Sequence, residues 1–324
     1  MESTYSEVEA EKFVKHYPDV ARALALRAYT SRLIGADPNL VLHGGGNTSV
    51  KVRQSNILGE EQEVLFVKGS GVDLVDIGPD DFVALDLVFL KKLRTLESLE
   101  DEEMASQMQI HKLHISPLNP SVEALLHAFL PHRYVDHTHA DSVLVLTNQT
   151  EGPNLIHKAL GPGVAVLPYT MSGLPLAKAV ATQYENHREL EAIVIVNHGI
   201  FTFAEDAETS YERMINFVNR ARAFIAHKIE GKPHITPRAD IQFVQEAESG
   251  VARFVQTMRG ACAHRGSDGR LRRFIVEFRN TQDLLEASVS NIAQTLCASG
   301  VLTPDHVIRT KNKIAYVDTL PKNN

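Results

Sequence analysis

The spacing of hydrophobic residues predicts a chain in which helices and strands alternate. Apolar positions that recur every three or four residues predict amphipathic helices. These cover residues 6–36 (as one helix or as two broken near Pro18), 79–95, 122–130, 174–187 and 206–229. Short apolar runs bounded by glycine, proline or polar residues predict strands. These cover residues 40–42, 47–52, 63–68, 164–168, 192–196 and 201–203.

One further predicted strand carries two histidines on the same face. Pro131 ends the helix before it, and residues 133–135 favour extended backbone. Side chains of a strand alternate between its two faces, so His137 and His139 point the same way. The short apolar steps of residues 141–146 predict that the strand continues past them. Residues 107–114 fit a short helix or a strand equally well.

The composition of the 324 residues is that of a globular protein, with 44% hydrophobic and 23% charged positions. A net charge of -7 argues against general binding to nucleic acids or anionic membranes, which requires a basic surface. No apolar run reaches the roughly 20 residues that span a bilayer. The polar, acidic N-terminus lacks a signal-peptide pattern, and two cysteines are too few for a disulfide framework. We therefore expect a soluble cytoplasmic protein.

Glycine and proline cluster at residues 231–237, directly after the last long predicted helix. Such a cluster is typical of a domain boundary. We therefore expect a main domain at residues 1–230 and a C-terminal α+β extension at residues 231–324. Within the extension, the pattern predicts a helix near 241–259, a strand near 273–278 and a helix near 282–299.

The histidine pair is a candidate metal site. Three neutral imidazoles with an open coordination position are typical of catalytic zinc. A third ligand must come from elsewhere in the fold, and His198 is the best candidate, because it follows a strongly apolar strand in a tight Asn-His-Gly turn. The alternative is that His137 and His139 are ordinary hydrogen-bonded strand histidines.

Two glycine turns, at residues 44–49 and 69–71, each follow an apolar run. Turns of this kind can present backbone N–H groups and short hydroxyls to an anion, although plain hairpin turns look the same in a sequence. Lys68 beside the second turn adds a possible positive charge, and an ordinary solvated lysine is the alternative. Ser121 is the predicted N-cap of the helix at 122–130, which places Glu123 in its first turn.

Five short motifs in this order resemble the class II aldolase/adducin family. They are Gly46-Asn47-Thr48-Ser49, Ser70-Gly71, Ser121-Val122-Glu123, His137-Thr138-His139 and Asn197-His198-Gly199. The resemblance covers roughly residues 20–230. It implies a three-layer α/β/α fold with a mainly antiparallel central sheet, and a homotetramer. The extension is similar to the linker region of bifunctional rhamnulose-phosphate aldolase/short-chain dehydrogenase proteins, especially at residues 304–311.

The resemblance also implies roles for individual residues. His137, His139 and His198 match the ligands of Zn²⁺ or another divalent metal, and Glu123 matches the acid/base carboxylate. The positions that match the substrate phosphate pocket are Gly46, Asn47, Ser70, Gly71 and Ser121. The implied reaction is cleavage of a ketose 1-phosphate of the rhamnulose- or fuculose-phosphate type into dihydroxyacetone phosphate and a small aldehyde. Zinc would act as a Lewis acid on the substrate oxygens.

Several alternatives stay open within this resemblance. A dehydratase, a decarboxylase or a 4-epimerase can share the fold, although Glu123 favours an aldolase or a dehydratase over the epimerase. An adducin-like structural module would keep the fold without the metal. The tyrosine that assists proton transfer in the aldolases has no counterpart at residues 155–158, and Tyr169 nearby is more simply explained by packing. A third alternative is that the chain partners a separate dehydrogenase that oxidises the aldehyde.

Overall fold

The computed structural model describes residues 1–232, 235–238, 248–310 and 312–317. The chain forms two compact units. The first comprises Met1–Glu230 together with Val301–Asn312, and the second comprises Gly231–Gly300 and Lys313–Asn324. A short segment far along the chain thus belongs to the same unit as the first 230 residues.

A seven-stranded sheet forms the centre of the first unit. Its strands are β1 (Asn47–Ser55), β2 (Glu61–Lys68), β3 (Phe82–Asp86), β4 (Tyr134–Thr138), β5 (Val164–Leu167), β6 (Ala192–Ile195) and β7 (Gly199–Ala204). The spatial order is β3-β2-β1-β4-β7-β6-β5, and only β5 and β6 pair in parallel. The prediction of an α/β fold with a mainly antiparallel sheet is confirmed.

Helices cover both faces of this sheet. They are α1 (Glu7–His16), α2 (Arg22–Gly35), α3 (Leu87–Leu93), α4 (Asp101–Ile110), α5 (Ala124–Phe129), α6 (Asp141–Thr147), α7 (Gly152–Leu160), α8 (Leu174–Asn186) and α9 (Ala207–Ile229). Residues of α2, α6, α7 and α9 form one core cluster with the sheet, and residues of α3, α4, α5 and α8 form the other. The strands supply both clusters because their side chains alternate: Val64 of β2 joins the first and Leu65 the second.

Three sequence predictions of element type are wrong in the first unit. Residues 79–95, predicted as a helix, form a single 3-10 turn (Pro79–Asp81) followed by β3 and α3. Residues 141–146, predicted as a continuing strand, form most of α6. Residues 40–42, predicted as a strand, are irregular. Both of the first two ranges contain a short run of consecutive apolar residues, at 82–85 and 143–146, and such a run carries no period that separates helix from strand.

The second unit contains three helices and one pair of two-residue strands among the residues described. They are α10 (Glu248–Ala261), β8 (His264–Arg265), β9 (Leu271–Arg272), α11 (Gln282–Ser288) and α12 (Ala293–Ala298). The start of the helix predicted near 241–259 lies outside the described residues, and residues 273–278 are not a strand. The helix predicted at 282–299 is two helices, separated near Ser290.

Residues Val301–Asn312, which return to the first unit and are called the rejoining segment below, contain α13 (Pro304–Arg309). Thr303 caps this helix by accepting a hydrogen bond from the backbone N–H of His306, at 3.3 Å. No helix among the residues described is both long enough and apolar enough to serve as a transmembrane span.

Candidate functional site

Strand β4 places two histidines beside each other at one end of the sheet. His137 is the fourth residue of β4 and pairs with Asn47 of β1 and Phe201 of β7, so neighbouring strands enclose it on both sides. His139 lies just beyond the last residue of the strand. Both are buried, and their Nε2 atoms are 3.1 Å apart. The alternation of strand side chains brings the two rings to the same face.

His198 reaches this face from the tight turn between β6 and β7. Asn197 adopts a positive φ of 58°, and the N–H of His198 donates to the carbonyl of Ile195 at 3.1 Å, which closes the turn. Gly199 begins β7 where it passes β4 so closely that a Cβ would lie 2.3 Å from the carbonyl oxygen of Thr138. Glycine at this position therefore permits the approach that brings His198 to the histidine pair.

The three histidines form a set of nitrogen donors suited to a divalent cation. One ring nitrogen from each lies within 4.8 Å of the others. Nδ1 of His137 donates to the carbonyl oxygen of Ile200 at 3.1 Å, and Nδ1 of His139 donates to Asp305 Oδ1 at 2.6 Å. When both rings are neutral, each Nε2 atom therefore carries a lone pair and no hydrogen, and the two lone pairs face each other. A cation between them removes this repulsion, so the residues present fit a metal.

Glu123 lies against the same nitrogen atoms. Its Oε2 is 3.4 Å from Nε2 of His137, and its Oε1 is 3.2 Å from Nε2 of His198. The carboxylate accepts hydrogen bonds from Asn47 Nδ2 at 2.7 Å and from Ser172 Oγ at 3.2 Å. Glu123 occupies the N-cap position of α5, one residue before the helix rather than in its first turn as predicted.

Burial and charge act in opposite directions on the pKa of Glu123. Burial raises it, whereas positive charge at His137 and His198 and hydrogen bonds from His198 and Asn47 lower it, and the lowering prevails. Burial also lowers the pKa of His137 well below its usual range, which keeps that ring neutral. An ionised carboxylate beside a neutral imidazole ring is a donor set that fits a divalent cation.

A buried chain of hydrogen bonds holds Glu123 from behind. Asn47 Oδ1 accepts from His127 Nε2 at 2.5 Å, and His127 Nδ1 accepts from the hydroxyl of Ser49 at 2.7 Å. Burial lowers the pKa of His127 to about 3, so the ring is neutral and its hydrogen lies on Nε2. This fixes the amide of Asn47 with its NH₂ toward Glu123. His127 lies four residues after Glu123, and this spacing alone assigns the ring no role.

The residues predicted for the phosphate pocket line one cavity of about 470 Å³, together with Glu123, His139 and His198. They are Gly46, Asn47, Ser70, Gly71 and Ser121. Lys68 also lines it but is only 2% exposed, so it is not a solvated lysine. Its ammonium donates to the carbonyls of Gly44 at 2.8 Å and Val72 at 2.6 Å and so joins the two glycine turns. Burial lowers the pKa of Lys68 to about 8.

The structure adds cavity residues that the sequence did not indicate. Tyr169, for which packing was expected, is 59% exposed and lines the cavity, as does Ser172. The rejoining segment contributes six more, which are Val301, Leu302, Thr303, Pro304, Val307 and Ile308. The only sequence signals for this segment were its helix-start residues Thr303 and Pro304 and the resemblance at residues 304–311.

Two family models match the chain. One, described as the class II aldolase and adducin N-terminal domain, matches residues 25–225. The other, described as the second domain of class II aldolases, matches residues 249–324. The first covers more than half of the sequence and contains all four residues that meet at the candidate metal centre.

Two relatives illustrate the similarity. The protein called uncharacterized oxidoreductase YuxG of Bacillus subtilis (strain 168) is 31% identical over 320 residues. That match covers 95% of this chain and 45% of the relative, so the chain spans about half the length of that relative. The solved N-terminal class II aldolase domain of a conserved protein from Thermoplasma acidophilum is 36% identical, with a TM-score of 0.62, and the match covers 69% of this chain and 99% of that domain.

Proposed function

The chain belongs to the class II aldolase and adducin family, and we propose that it is a metal-dependent aldolase. The proposed reaction is reversible cleavage of a ketose 1-phosphate, of the rhamnulose- or fuculose-phosphate type, into dihydroxyacetone phosphate and a small aldehyde. The observation that carries the proposal is the position of Glu123, whose two carboxylate oxygens lie 3.4 Å and 3.2 Å from the Nε2 atoms of His137 and His198. This reaction needs a metal site with three imidazole ligands and a carboxylate beside it that acts as acid and base.

His137, His139 and His198 would hold Zn²⁺ through their Nε2 atoms. The ion, when bound, acts as a Lewis acid that draws electron density from the substrate oxygens. The chain itself contributes the geometry of the donors: the sheet fixes His137, and the β6–β7 turn fixes His198. Full burial of His137 also excludes water from the rear of the site.

Glu123 is the group that moves the proton at carbon. In the direction of C–C bond formation, its carboxylate removes a proton from the carbon of dihydroxyacetone phosphate that will form the new bond. That carbon attacks the carbonyl carbon of the aldehyde, and the aldehyde oxygen takes up a proton as it becomes a hydroxyl. Cleavage runs the same steps in reverse. Hydrogen bonds from Asn47 and Ser172 hold the carboxylate in place for this transfer.

The proton on the aldehyde oxygen requires a second group. Tyr169 is our candidate, because its side chain lines the same cavity as Glu123. The phosphate is assigned to the glycine turns, where Gly46, Ser70, Gly71 and Ser121 offer backbone N–H groups and hydroxyls. Lys68 adds positive charge behind them. Asn47 keeps one amide hydrogen for the substrate, since its other polar contacts are to Glu123 and His127.

A set of three histidines and a buried carboxylate favours an enzyme over an adducin-like structural module. Dehydratase, decarboxylase and epimerase reactions use the same kind of site, so the discriminating measurement is product release. Purified, zinc-loaded protein is incubated with a panel of ketose 1-phosphates, and dihydroxyacetone phosphate is assayed. Release from at least one of them is expected, and a zinc-loaded protein that releases none would contradict the aldolase assignment.

The assembly and setting of the protein are proposed on the family resemblance. We propose a homotetramer in the cytoplasm, as the resemblance implies. The B. subtilis relative, of which the chain spans 45%, supports the similarity to one half of a longer bifunctional protein. Light scattering of the purified chain tests the tetramer, and a monomer at micromolar concentration would contradict it.

A further inference from the structure

The rejoining segment places a buried carboxylate against one of the candidate metal ligands. Asp305 is 3% exposed, although it lies on the six-residue helix α13 near the far end of the chain. Its Oδ1 accepts from Nδ1 of His139 at 2.6 Å, and its Oδ2 accepts from the backbone N–H of Leu42 at 2.8 Å. Both oxygens are therefore used, and neither contact involves an element that adjoins α13 in sequence.

The glycine turn at residues 44–46 is shaped around this carboxylate. A Cβ on Gly45 would lie 1.7 Å from Oδ1 of Asp305, so any larger residue would expel the side chain. A second residue of the same helix also contacts this turn: Nε of Arg309 donates to the carbonyl of His43 at 2.9 Å. Helix α13 is thus attached to the backbone that leads into the turn at two points, Asp305 and Arg309, one helical turn apart, which holds the carboxylate at a fixed place beside His139.

We propose that Asp305 is a positioning residue for His139. By accepting the Nδ1 hydrogen, it fixes the tautomer and rotation of the ring so that Nε2 faces Nε2 of His137, which increases the affinity of the site for a divalent metal. This inference rests on the metal site of the proposed function. It adds that residues 301–310, outside the aldolase-domain match at 25–225, are needed to complete that site.

The general physical basis is well defined. A carboxylate that accepts the second N–H of a ligating imidazole raises the basicity of the ligand and prevents its rotation, and loss of such a partner typically costs about 10- to 100-fold in metal affinity. His139 needs such a partner more than His137, whose Nδ1 donates to the backbone carbonyl of Ile200. His139 lies beyond the end of β4, where strand pairing no longer holds the backbone.

The test is the zinc dissociation constant of the full chain, measured by competition with a chelator. Asp305→Ala should bind zinc about 10- to 100-fold more weakly than the wild type. Asp305→Asn keeps the shape of the side chain and one acceptor but loses the charge, so an intermediate loss is expected. The asparagine variant also keeps the test valid if the alanine variant does not fold.

The matched control is Asp283→Asn. Asp283 is exposed and, like Asp305, is the second residue of a short helix that follows a threonine N-cap. Its substitution should leave zinc affinity unchanged. Zinc affinity within about twofold of wild type in both Asp305 variants, or an equal loss in the control, would overturn the proposal.

Cobalt(II) gives a readout that a purely structural role would not move. In place of zinc, its visible absorption reports the ligand geometry, which should change in the Asp305 variants and not in Asp283→Asn. An unchanged spectrum in Asp305→Asn would count against positioning. Both measurements omit substrate. A protein that shows the expected affinities but cleaves no ketose phosphate would therefore contradict the proposed reaction alone.

Discussion

His137 and His139 are two residues apart on one strand, yet different parts of the chain hold them. His137 is fully buried between β1 and β7, donates to the carbonyl of Ile200 and stacks on Phe201 with 3.9 Å between ring centres. His139 lies past the strand end and donates to Asp305, 166 residues away. The sheet itself fixes the first histidine, whereas the second depends on a segment that returns to the unit only after Gly300.

The largest expected effect is the loss of bound zinc, and it should be the same whichever of the two histidines is removed. His137→Ala and His139→Ala each remove one of three proposed ligands, so each variant should hold well below one zinc per subunit. Elemental analysis after dialysis measures this. The control is His187→Ala, an exposed histidine outside the cavity, which should retain full zinc. Stoichiometric zinc in either ligand variant would remove that residue from the site.

Replacing Glu123, the carboxylate that lies against His137 and His198, should separate metal binding from turnover. Glu123→Gln keeps the size of the side chain but cannot take up a proton, so turnover should fall by about 10²- to 10⁴-fold while zinc content is unchanged. Steady-state kinetics on the substrate identified by product release, with zinc assayed in the same samples, provides the measurement. Near wild-type turnover would exclude Glu123 from proton transfer.

The strand that carries His137 also depends on a buried ion pair on its opposite face. Arg27 Nη2 lies 2.5 Å from Asp136 Oδ1, and both side chains are fully buried. Arg27→Met leaves Asp136 unpaired and should lower the free energy of unfolding by roughly 3–5 kcal/mol. Denaturant unfolding measures the change. The double variant Arg27→Met/Asp136→Leu should recover much of the loss, and equal instability of single and double variants would argue against an unpaired charge as the cause.

The smallest effect concerns the neutral histidine behind Glu123. The pKa of His127 is lowered to about 3, so between pH 6.5 and pH 3 the unfolded chain binds a proton that the folded protein does not. The free energy of unfolding should therefore decrease as the pH is lowered, and His127 alone should account for roughly 2 kcal/mol of this decrease between pH 7 and pH 5. In His127→Gln the pH dependence should be shallower by that amount. An unchanged slope would mean that another group causes it.

The part of the site that the sheet and its turns supply could be predicted from the sequence. Strand alternation placed His137 and His139 on one face, and the Asn-His-Gly turn after an apolar strand singled out His198. Both depend on local rules that hold within a few residues. The same rules failed for α6, because the four consecutive apolar residues 143–146 fit a short buried helix and a buried strand equally well.

The half of the site that the rejoining segment supplies could not be predicted in this way. Asp305 in isolation is an ordinary first-turn acid after a threonine cap, and Asp283 has the same local pattern but belongs to the other unit. What distinguishes the two is the position of a helix in the fold, which spacing along the chain does not encode. The role of His127 could not be predicted for a similar reason, since its partners Ser49 and Asn47 lie on another element.

Zinc K-edge X-ray absorption of the loaded wild-type protein tests the central claim most directly, because it reports the atoms bound to the metal. The account predicts a site with three imidazole ligands, no sulfur ligand, and the loss of one imidazole in His139→Ala. A spectrum with fewer than three imidazoles in the wild type, or one unchanged in His139→Ala, would contradict the assignment of His137, His139 and His198 as the metal site.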